Sequence, residues 1–121
     1  MDESLGETFA FFADGSSGNI MLEIAFVKLQ QEAFEIFKRK QASYGSGNIA
    51  TFGARGVFIR MWDKVQRLFR LVWLGKKDSL GADETILDTY LDLANYSLIS
   101  ILCIKGNWSG LTEEEGLNGK V

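Results

Sequence analysis

The chain has 121 residues, 46% of them hydrophobic and 24% charged, with a formal net charge of -3. That length supports one domain around a single core, and the acidic balance argues against a nucleic-acid groove, which needs a field attracting many phosphates. Histidine is absent and cysteine occurs once, which excludes Ser-His and Cys-His nucleophiles, His- or thiolate-held zinc and an internal disulfide.

Residues 1–19 form an N-terminal segment. Its start carries acids where a signal peptide would carry bases, and no apolar run approaches the roughly 18 residues needed to span a bilayer. A cytoplasmic protein without membrane contact is the expectation. Residues 8–13 are a short apolar run that periodicity does not classify. Asp14-Gly15-Ser16-Ser17-Gly18-Asn19 reads as a loop ending in a helix N-cap.

The chain has no proline, so glycines are its punctuation. A first helix is predicted over 20–41, with Ile24, Val27, Leu29, Ala33, Phe34, Ile36 and Phe37 as a broad apolar face. A glycine-rich loop follows over 44–56. The second helix runs from 57 to 74, with Phe58, Met61, Trp62, Val65, Leu68, Phe69, Val72 and Trp73 at helical spacings.

After a turn over 75–82, Asp83 and Glu84 suit the start of a third helix. That helix runs to about Lys105 and stops at Gly106. Its second half is apolar nearly all round, which suits a central helix or an interface; Cys103, inside the run 98–104, is expected as a buried thiol. Residues 109–121 read as a flexible acidic tail. The expected fold is all-α: a compact bundle of three main helices over 20–108, completed by oligomerisation.

Several polar groups fall where chemistry could sit. Glu32 and Glu35 are three apart on the first helix, Asp88 and Asp92 four apart on the third, and Asn95 extends that stripe by a turn. Asp63 is a lone acid among bases on the second helix. Paired acids on facing helices can hold Mg²⁺, making Glu32, Glu35, Asp63, Asp88 and Asp92 candidate ligands; the alternative is a solvated charged face. Arg60, Lys64 and Arg67 follow i, i+4, i+7 spacing and suit phosphate. They also suit ion pairs with Asp88 or Asp92. In the loop, Tyr44 or Phe52 can stack on a base, while Gly45, Asn48, Arg55 and Gly56 lead into a helix N-terminus, a natural anion site.

The runs Lys40-Gln41-Ala42-Ser43-Tyr44-Gly45-Ser46-Gly47-Asn48, Phe52-Gly53-Ala54-Arg55-Gly56, Arg60-Met61-Trp62-Asp63-Lys64-Val65-Gln66-Arg67-Leu68 and Asp88-Thr89-Tyr90-Leu91-Asp92-Leu93-Ala94-Asn95-Tyr96, in this order and spacing, resemble the phage and bacterial family called nucleotide modification associated domain 1. The resemblance covers residues 34–108 and implies nucleotide handling, in the host cytoplasm if the chain is phage-encoded. A more distant likeness is to the all-α nucleoside triphosphate pyrophosphatases of the MazG and dimeric dUTPase type, which hold Mg²⁺ with an E-x-x-E and a later E-x-x-D pair. Glu32-Ala33-Phe34-Glu35 fits the first; at the second, Thr89 stands three before Asp92.

The expected ligand is therefore a nucleotide or cyclic nucleotide, bound by Tyr44, Gly45, Asn48, Phe52, Arg55, Gly56, Arg60, Lys64, Arg67, Asn95 and Tyr96. A protein that acts on or sequesters the nucleotide, in nucleotide modification or in binding a nucleotide signal, stands against two alternatives: Mg²⁺-dependent pyrophosphohydrolysis, for which no catalytic residue is assigned, and a structural helical oligomer with salt-bridged faces.

Overall fold

The computed structural model describes residues 15–76 and 82–111, apart from the side chains of 82–85. The apolar run 8–13, the centre of the turn before the third long helix and the tail from residue 112 lie outside them. The described residues form four helices and no strand: α1 (Ile20–Tyr44), the single-turn α2 (Gly47–Ala50), α3 (Gly53–Leu68), which runs on into a π-helical turn (Phe69–Trp73), and α4 (Ala82–Ile104). The all-α expectation holds, with one short helix added. Among the described residues, no helix is long and apolar enough to cross a membrane.

Two compact units divide the chain, Met1–Glu35 and Ile36–Val121. In the first, the start of α1 is fixed by local polar contacts. The Leu22 amide donates to the Asn19 side chain at 3.1 Å, the N-cap expected there. The Ser16 hydroxyl and the Ser17 amide donate to the Glu23 carboxylate at 2.7 and 3.2 Å. Negative charge in that first turn also suits the helix dipole.

The second unit holds the core. Val57 and Cys103 are wholly buried, surrounded by Ile49, Ala50, Ile99 and Trp108, with Phe37, Met61, Tyr96 and Leu111 packed against them. Burial pushes the Cys103 thiol up from its ordinary pKa, keeping it neutral. α3 and α4 run antiparallel: Met61 meets Ser100 (3.8 Å) and Lys64 meets Asp92 (3.2 Å), so numbers rise on one helix as they fall on the other.

Two glycines end helices where a left-handed residue is required. Gly45, at φ +70°, closes α1, its amide donating to the Gln41 carbonyl at 2.9 Å. Gly106, at φ +75°, closes α4 as the sequence indicates. Its amide donates to Cys103 and the Asn107 amide to Leu102, at 3.1 and 2.8 Å, which satisfies two terminal carbonyls. The chain then turns back, so that Leu111 still packs on the core beyond the expected boundary at Trp108.

The region 44–56 differs most from its sequence reading. Instead of one loop it contains the end of α1, all of α2 and the start of α3. A single turn such as α2 has little stability of its own; burial of Ile49 and Ala50 supplies it. One of the glycines serves packing. A Cβ placed on Gly56 would lie 2.6 Å from the Phe52 Cβ, so only glycine fits there without movement. Gly56→Ala is therefore expected to cost about 1–3 kcal/mol, as overpacking does. Urea unfolding should show the loss, and native Cys103 should react faster with a thiol reagent; an unchanged midpoint would contradict the packing role.

A cleft walled by three helices

Three helical faces converge in the second unit on an open cleft of about 340 Å³. From α1 come Phe37, Lys40, Gln41 and Tyr44, at i, i+3, i+4, i+7 spacing. Asp92, Asn95, Tyr96 and Ile99 repeat that spacing on α4, and Arg60 reaches in from α3. Asn48 and Ile49 of α2 and Trp108 complete the lining. Each face is one stripe of a helix, so the backbone holds these side chains in register.

Trp108 closes one end. Its buried indole N–H donates to the Ser46 carbonyl at 3.0 Å, and its ring meets Phe37 edge to face at 6.1 Å between centroids. The same carbonyl accepts from the Ala50 amide, which uses both lone pairs. The Gln41 side-chain amide donates to the Ser46 hydroxyl at 2.6 Å, fixing the turn between α1 and α2.

The charges are unevenly matched. Both Asp92 oxygens are engaged, one by Lys40 at 2.7 Å and the other by Lys64 at 3.2 Å. The Asp92 side chain is only 17% exposed, against 51% for Lys40 and 29% for Lys64. Exposed pairs contribute little, so Lys64 is the firmer partner and Lys40 the one a ligand can redirect. Arg60, half-buried, pairs with no described residue. Two lysines thus share one carboxylate, and Arg60 adds a further cation to the cleft wall. Asn95 is buried and has partners within the protein.

Of the candidates named from sequence, Tyr44, Gly45, Asn48, Arg60, Asn95, Tyr96 and Asp92 come together here; Lys64 is not in the lining but pairs with Asp92. Phe52, Arg55, Gly56 and Arg67 are not among the lining residues. Gly56 packs on Phe52, and its amide donates to the Phe52 carbonyl, so this corner presents no free glycine cradle to the cleft. Asp63 and Asp88 are exposed away from the cleft lining, and Glu32 and Glu35 are exposed on the part of α1 in the first unit. Among the described residues, no three Asp, Glu or Cys side chains gather to hold one cation.

Sequence reading missed Phe37, Lys40, Gln41, Ile49, Ile99 and Trp108. The signal for three of them was present: with α1 extended to Tyr44, Phe37, Lys40 and Gln41 share its face. Trp108 carries no local signal, because only the reversal at Gly106 brings it back. Fold and cleft define an all-α chain with a positively charged, ring-lined cleft. Compared with known proteins, it matches no family model, curated protein or solved structure.

Asp92→Asn should remove both ion pairs, freeing Lys40 beside Arg60 on the cleft wall and leaving Lys64 unpaired next to it. Denaturation should show a loss of about 1 kcal/mol, while pyrophosphate titrated at low salt should bind more tightly than to the wild type. Weaker pyrophosphate binding would mean that Asp92 positions the lysines rather than neutralising them.

Proposed function

We propose that this chain binds a nucleotide or cyclic nucleotide in the cleft of the second unit and sequesters it. Arg60 carries the reading: a half-buried guanidinium without an ion-pair partner among the described residues, on the wall of a cleft that also bears aromatic rings. Burying a cation without a counter-charge is costly, and two oxygens of a phosphate can accept from its planar fork of donors. Tyr44 at the rim and Tyr96 within offer ring faces or edges to a base, and the volume lies in the range of small-molecule sites. The likeness of residues 34–108 to a phage and bacterial nucleotide-handling family supports the same ligand class.

Asp92 favours binding over turnover. It is the carboxylate on the cleft wall, and both its oxygens are held by lysines. An acid so engaged is poorly placed to hold a metal or activate water. A ligand phosphate draws Lys40 from Asp92 and leaves Lys64 as its counter-charge.

The test is incubation of the full chain with nucleoside mono-, di- and triphosphates and cyclic dinucleotides, with and without Mg²⁺. Protein-bound ligand is then released by denaturation and analysed. One ligand class should be retained intact with or without Mg²⁺. Arg60→Ala should weaken retention roughly tenfold or more, as loss of a charge-assisted pair does, while Arg70→Ala, exposed and outside the lining, should not. Mg²⁺-dependent product would replace sequestration by hydrolysis, and no retention across the panel would overturn the proposal.

A further inference from the structure

One flank of α3 is apolar and uncovered. Phe58, Trp62, Val65, Phe69 and Val72 follow 4-3-4-3 spacing, and Trp73 continues the stripe through the π turn. These six side chains are between 44% and 79% exposed. The neighbouring stripe of the same helix, Val57, Met61 and Lys64, is the one turned to α4. Taking about 200 Å² for each aromatic side chain, the uncovered stripe presents roughly 600 Å². That is the upper end for a patch on a monomer and most of the roughly 800 Å² that each partner gives to a standard interface.

We infer that this stripe pairs with the same stripe of a second copy of the chain. Spacing is the first argument, because a 4-3 repeat is the pattern with which one helix packs its side chains between those of a like helix. Charge is the second. A two-fold contact brings identical residues together, so any charge beside the seam would meet its own sign. Here Ile59, Met61, Gln66 and Leu68 border the stripe, none of them charged, and Arg55 borders only its N-terminal end, where an antiparallel pairing sets the two copies of it far apart; Asp63, Lys64, Arg67 and Arg70 lie off it. Val65 stands at the middle, so it meets the partner copy's equivalent residue whether the helices run parallel in register or antiparallel about their centre.

The experiment is sedimentation equilibrium of the full chain and of two variants, Val65→Glu and Val65→Lys, with far-UV circular dichroism to confirm that each variant remains helical. The wild type should have twice the 13.5 kDa chain mass. Each variant alone should dissociate at least roughly tenfold more readily, since like charges then face each other. An equimolar mixture of the two should recover the dimer, because opposite charges then meet. A single-chain mass for the wild type overturns the inference and leaves the stripe to the chain's own remaining residues or to a different protein. An assembly that Val65→Glu leaves intact, or variants whose mixture stays monomeric although both are helical, also overturns it.

Discussion

A buried indole must find an acceptor for its N–H, and in this chain that requirement ties the ends of the second unit together. Trp108 reaches it only because Gly106 turns the chain back after α4, and the acceptor is the Ser46 carbonyl between α1 and α2. The ring's other contact is Phe37 on α1. One side chain therefore links α1, α2 and the segment after α4, and the cleft opens beside that link. Ile49 and Ala50, adjacent on α2, contribute to the same core as Val57 and Ile99. The cleft is thus shaped by packing, with its polar groups mounted on helices that the core holds.

The charges then determine what the cleft can accept. Lys40 and Lys64 share Asp92, so most of their charge is spoken for within the protein. Arg60 is left with none of these contacts. A ligand bearing phosphate adds counter-charge where it is short and need not break the firmer Lys64 pair. A neutral ligand gives Arg60 nothing, and a bare cation meets Lys40 and Arg60 on a wall whose carboxylate is already paired. Electrostatics and the ring-bearing walls thereby favour the same ligand chemistry.

The long helices were legible from apolar periodicity and glycine punctuation, but the periodic face of α3 (Phe58, Trp62, Val65, Phe69 and Val72) is exposed, and the residue that helix buries completely is Val57. The stop at Gly106 and the N-cap at Asn19 are local signals, and both operate in the fold. The 44–56 region was less legible. Glycines at 45, 47, 53 and 56 suggest a flexible loop, yet Gly56 serves Phe52 and the single turn α2 survives through burial of Ile49 and Ala50. Part of the cleft followed from the stripes on α3 and α4. The pairing of Lys64 with Asp92 was among the combinations that helix faces allow. Lys40 already lay on the face of the predicted first helix, whereas Trp108 needed tertiary information, because it returns across 62 residues of sequence.

The most direct test of the proposed binding is an amide and side-chain NMR titration of the full chain with each nucleotide and cyclic dinucleotide of the panel. Binding in the cleft predicts that the Arg60 side-chain N–H, the Trp108 indole N–H and the Asn48 and Asn95 side-chain amides shift together, saturating with one affinity. Shifts confined to residues outside the cleft, with the Arg60 and Trp108 resonances unmoved at saturation, would contradict it.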